Sequence, residues 1–164
     1  MTAASKSGTV GVTVLRFFLL GYLALCASCS KSPASDVDDK VTTLGDTEVT
    51  AQLEEIRGEF IDRPMYDYAF VMKYRVLKVH RGTVDSDTLY VGHYNPLKPR
   101  ASVADERVTD VGGTLKKFRA GDIHRMALAS PIDEYYMGGI VNRYFDEYKG
   151  PIYWALRTNP GVKP

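Results

Sequence analysis

The stretch "YDYAFVMKYRVLKVHRG", residues 66–82, does most to limit what this chain can become. It is long, free of proline and rich in Tyr, Phe and Val, which suit a pleated, half-buried surface. Side chains alternate along a strand, so Phe70, Met72, Tyr74 and Val76 share one face. Ala69, Val71, Leu77 and Val79 make the other face apolar in part, so both faces ask for cover. A strand this long is expected to bend or bulge midway. "HRGTVDSD", residues 80–87, supplies turn residues, and "TLYVGHY", residues 88–94, runs back as the hairpin partner.

The remaining segments extend this plan. Residues 47–61 alternate through Val49, Ala51 and Leu53, as a strand bending at Gly58 would, although the Leu-Glu-Glu-Ile centre also suits a helix. Residues 95–113 carry two prolines, then charges, then Gly-Gly, and read as a long loop with one helical turn. A short helical turn is expected over 114–118, a tight turn at "RAGD" and a strand over 123–130. Residues 131–148 allow two readings. Asp133 can cap a helix with Met137, Val141 and Phe145 on one face. Gly138 and Gly139 weaken that helix by about 1 kcal/mol each, so a loop and a short helix from Val141 is equally consistent. "GPIYWALRTNPG", residues 150–161, is a last aromatic strand that stops at Asn-Pro-Gly. Five or so strands with a small helical component close most easily into a small β-barrel.

The central hairpin resembles that of netrin-like domains, which are related to tissue inhibitors of metalloproteinases. Val76, Val79 and Gly82 match a phrase at the end of one strand, and Gly121 and Asp122 match a Gly-Asp turn before a later one. The resemblance covers residues 66–129 and implies an oligomer-binding (OB) type of barrel: a mainly β fold with one or two short helices. The inhibitors depend on several disulfides and a free N-terminal cysteine. This domain has neither, so the resemblance implies the barrel and not the inhibitory mechanism.

The N-terminal end reads as an export signal. Lys6 and Arg16 precede or open an apolar run, residues 17–25, that is about 9 residues long, too short to span a bilayer. Ala27 and Ser28 before Cys29 resemble the lipobox of bacterial lipoproteins, although Cys26 stands where the family carries an aliphatic residue. That resemblance implies a signal peptide over 1–28, a fatty-acylated Cys29 and a membrane anchor in the cell envelope. By the sorting scheme of enterobacterial lipoproteins, Ser30 implies the outer membrane, facing the periplasm. A protein secreted after cleavage nearby is the alternative. Residues 29–46, rich in Ser, Asp and Thr, read as a flexible tether, and 47–164 as the domain. Both cysteines fall outside the domain, so no internal disulfide is expected to hold it.

The signal holds two of the 21 basic residues and none of the 20 acidic ones, which leaves the exported chain at net −1. Such a balance gives no electrostatic reason to expect nucleic acid. His80, His93 and His124 share no metal-ligand spacing, and no phosphate-cradling glycine loop exists, so no metal or other cofactor is expected. No Gly-x-Ser-x-Gly elbow is present, and the paired acids 54–55, 105–106 and 133–134 are adjacent and diverge. The candidate binding residues are His93, Tyr94, Asn95 and Arg100 at one strand exit, His124 and Arg125 on another strand, and Tyr153 and Trp154 on the last. Aromatic faces with Arg and Asn suit a sugar ring or a protein partner. Trp154, the only tryptophan, also suits a core. The expected function is a non-catalytic binding or accessory module for an envelope protein or polysaccharide. The alternatives are an envelope hydrolase or metal-dependent enzyme with an unmarked site, and a purely structural component.

Overall fold

The computed structural model describes residues 38–144 and 147–164. The expected signal, Cys29 and the tether up to residue 37 lie outside the described residues. Six strands form: β1 (Thr47–Glu55), β2 (Tyr68–Arg81), β3 (Thr88–Tyr94), β4 (Ile123–Ala129), β5 (Gly139–Val141) and β6 (Tyr153–Pro160). Their order is β1-β4-β6-β3-β2-β5. A further pairing of β1 with β2 closes five strands into a barrel and leaves β5 outside, parallel to the start of β2. Within the barrel only β3 and β6 run parallel. The fold is mainly β, a small OB-like barrel.

β2 makes closure possible because it is long. Its first part pairs with β3 and its later part with β1. The register between β1 and β2 shifts at three places, the irregularities that a strand this long needs in order to coil around a barrel. The alternation read from the sequence holds. Phe70, Met72 and Tyr74 point inward with Val49, Leu53, Leu89, Val91, Met126 and Leu128. The opposite face is covered too. Ala69, Ala127, Ala129, Trp154 and Leu156 form a second core with Val41, Val103, Val111, Ile132 and Tyr136.

That second core explains where the helical expectations fail. The described residues of 131–148 make only a 3-10 turn, Ile132–Glu134, and then the short β5. Ile132 and Tyr136 point into the second core, whereas Met137, assigned to the inner face of a helix, is exposed. Residues 114–118 form no helical turn. Among the described residues the other 3-10 turns are Arg100–Ser102 and Asp39–Thr42.

The second turn belongs to the stretch expected as tether. Val41 is fully buried, Asp38 pairs with Arg157 at 3.1 Å, and the Asp46 N–H donates to the Leu128 carbonyl. The packed body therefore begins at least as early as Asp38. Val41, with Leu44 packed beside it, docks this otherwise polar stretch on the apolar outer face of the barrel.

Candidate functional site

Seven of the eight residues singled out from sequence are buried; Arg125 is half-buried. They fall into separate groups. His93 shares a face with Leu89 and Val91 on β3, and His124 with Met126 and Leu128 on β4, so both rings enter the barrel interior. There they meet Tyr74 of β2. The Tyr74 hydroxyl lies 3.0 Å from His93 Nε2 and 3.1 Å from His124 Nδ1. Phe118 packs on both imidazoles, with ring centroids 4.5 and 5.6 Å away. Burial holds His93 well below the ordinary histidine range, and the neighbouring Arg100 and His124 add to this. Burial alone pushes His124 down to about 4. Burial also raises Tyr74 well above the ordinary tyrosine value. At neutral pH all three are uncharged. All three residues are fully buried, and their hydrogen bonds tie three strands together.

Tyr94, Asn95 and Arg100 build the loop that leaves β3. Asn95 takes a left-handed backbone, φ 40°, which Asn tolerates better than most residues. Its side chain accepts from the Tyr68 N–H at 3.2 Å and donates to Asp67 at 2.8 Å. Arg100 turns inward and donates to the carbonyls of Tyr94, Asn95 and Lys98 at 2.7, 2.6 and 2.8 Å. Its guanidinium lies 5.2 Å from the centre of the Phe118 ring. Burial lowers its pKa to about 10, so it stays charged, solvated by carbonyls rather than by a carboxylate. Arg100 is thus the clamp of its own loop. Tyr94 donates to Asp105 at 2.7 Å.

The remaining candidates stand apart. Trp154 stacks on Tyr136 at 4.9 Å in the outer core. Tyr153 is buried in the barrel interior. Arg125 pairs with Glu48 at 2.6 Å. His80, the third histidine, bonds Thr50 Oγ1. No group of three or more His, Cys, Asp or Glu able to hold a metal forms among the described residues.

The clamped loop divides two surface features. On one side the β1–β2 connection, residues 56–67, meets the β4–β6 connection, residues 130–152, around Asp67 and Arg107, which are 3.7 Å apart. Met65 (99% exposed), Tyr66 (46%), Tyr135 (48%) and Met137 (88%) flank that pair. Met65 takes φ 62°, an uncommon conformation for a residue with a Cβ. On the other side, Pro99 and Ala101 form a wall of an open cleft with residues 114–124. Sequence reasoning missed both features. An unpaired Met or Tyr in a loop has no period to mark it. The signal in "TLKKFR" was present: Leu115 and Phe118 pack inward and Lys116, Lys117 and Arg119 point out.

Comparison with known protein families, with curated proteins and with solved structures finds no match. The class that fold and surface define is an OB-like barrel with a clamped loop between two accessible faces.

Proposed function

We propose that this chain is a lipid-anchored cell-envelope protein whose barrel is a non-catalytic module that binds a protein partner. The observation that carries the reading is the Met65, Tyr66, Tyr135 and Met137 surface around Asp67 and Arg107. OB-type barrels use the connections of the first two and last two barrel strands as binding loops, and those connections carry Met65, Tyr66, Tyr135 and Met137. Met, aromatic residues and Arg are enriched at protein interfaces, and an exposed Met adapts its shape to a partner. The resemblance to netrin-like domains supports a binding role, and the lipobox supports the envelope address. The buried Tyr74, His93 and His124 favour this reading over the hydrolase, since enclosed groups meet no substrate.

The test is cross-linking of the full-length protein in native envelopes, followed by mass spectrometry of captured proteins and glycans and of the Cys29 acyl group. One protein cross-linked next to Met65 or Met137, and lost in the folded Met65→Ser, Tyr66→Ser, Met137→Ser variant, is the expected result. A polysaccharide in its place would replace the protein partner with a glycan. An unmodified Cys29 would overturn the anchor.

A further inference from the structure

The cleft beyond the clamped loop has a volume of about 1120 Å3. Pro99, Leu115, Ile123 and Pro160 make its apolar lining aliphatic, and no Phe, Tyr or Trp side chain lines it. Lys116, Lys117 and Arg119 stand on its rim, all exposed. Several other cations are paired, Lys73 and Arg75 with Glu54, Lys98 and Arg107 with Asp67 and Arg125 with Glu48, against Lys116, Lys117 and Arg119. These three make no side-chain hydrogen bond or ion pair with any described residue. Asp122 is the one carboxylate in the lining, and His124 there is neutral, so the cleft carries two net positive charges. The exported chain as a whole is at −1, so the excess is local.

The backbone that carries the cations is held in place. Leu115 donates to the Thr158 carbonyl at 3.2 Å and accepts from the Arg100 N–H at 2.9 Å. Thr114 bonds Asn159 through its N–H and its hydroxyl. At the far end, the Gly121 N–H donates to Leu53 at 2.7 Å and its carbonyl accepts from Gln52. Leu115 and Phe118 pack into the barrel core between these ties. A segment fastened at both ends loses little freedom when a ligand settles on it.

We infer that this cleft is a second binding site, one that takes an extended peptide segment of a partner protein in which carboxylates alternate with apolar side chains. Cations along a rim attract the carboxylates, and an aliphatic floor takes the side chains between them. A sugar chain is a poorer fit, because rings stack on aromatic faces and this lining offers no Phe, Tyr or Trp. The site shares no lining residue with the Met and Tyr surface, so it stands or falls separately from the proposed function.

The experiment is fluorescence anisotropy of the full-length protein with three labelled short peptides. One alternates Glu and Leu, one Gln and Leu, and one Glu and Ser. The Glu–Leu peptide should bind best and weaken as salt rises, since exposed charges are screened. The Lys116→Gln, Lys117→Gln, Arg119→Gln variant replaces exposed residues only and should lose about tenfold in affinity. Circular dichroism of that variant establishes that the barrel is intact. Equal binding of the Glu–Ser peptide would reduce the site to an unselective cation patch and overturn the inference. So would tighter binding of dextran sulfate or of phosphatidylglycerol vesicles, or an unchanged affinity in the variant. Failure of the Glu–Leu peptide to bind at all would do the same.

Discussion

Tyr74 has one proton to give, yet two imidazoles face its oxygen. With both rings neutral, one must accept from the hydroxyl and the other must donate to it. The outer nitrogens, His93 Nδ1 and His124 Nε2, then have no protein partner. Such a network is stable only while every member keeps its role. Tyr74→Phe keeps the volume and leaves two more buried nitrogens unsatisfied, so it should lower stability by about 2 kcal/mol, read from urea unfolding. Acid should act on the same residues. The unfolded chain takes up protons on histidine as pH falls below the ordinary 6.5, while the folded barrel leaves His124 neutral until about 4. Stability is therefore complete above that window and lost through it, by about 3 kcal/mol for His124. His93, also held well below its ordinary value, acts in the same direction. A denaturation midpoint that stays constant from pH 7 to pH 4 would contradict this account. A His124→Gln variant that folds should show a shallower pH slope than the wild type.

At the level of elements, the five barrel strands were legible, as were the loop with one helical turn over 95–113 and the turn at 119–122, whereas β5 and the path of the connections were not. β3 runs over the residues read as the returning strand, and β2 and β4 differ from expectation only at their ends. Alternation is local, so a strand announces itself. The 95–122 connection answers to different constraints. Its backbone follows what Arg100, Asn95 and Leu115 reach in three dimensions, and Arg100 looks in sequence like any surface arginine. Gly113 is a second example. Its φ of 123° suits only glycine, and the Thr158 backbone fills the place of a Cβ. Gly113→Ala should cost about 3 kcal/mol from backbone strain and overlap together, measured as a fall in the thermal midpoint. The same substitution at Gly121, with nothing near its absent Cβ, meets only the strain of its φ of 95° and should cost less.

The whole molecule adds the start of the packed body. A chain beginning at Asp38 keeps Val41, the Asp38–Arg157 pair and the Asp46 bond to β4. A chain beginning at Thr47, where composition drew the boundary, uncovers Ala127, Ala129 and Leu156 around them. It should melt earlier, with a loss of about 2–4 kcal/mol from the buried Val41 side chain and the ties around it. Equal melting of the two would return residues 38–46 to the tether.

By itself the sequence determined the five barrel strands, their inward faces and the mainly β class, because period-two alternation and β-branched and aromatic content are properties of neighbours along the chain. A small barrel followed from having about five such strands. Only the tertiary structure decided which polar residues are inside. His93, His124 and Arg100 are buried because Tyr74, Phe118 and three carbonyls come within bonding distance across gaps of up to 50 residues. It also decided which surfaces remain open. Met65 differs from the buried Met72 and Met126 only in what the folded chain places beside it.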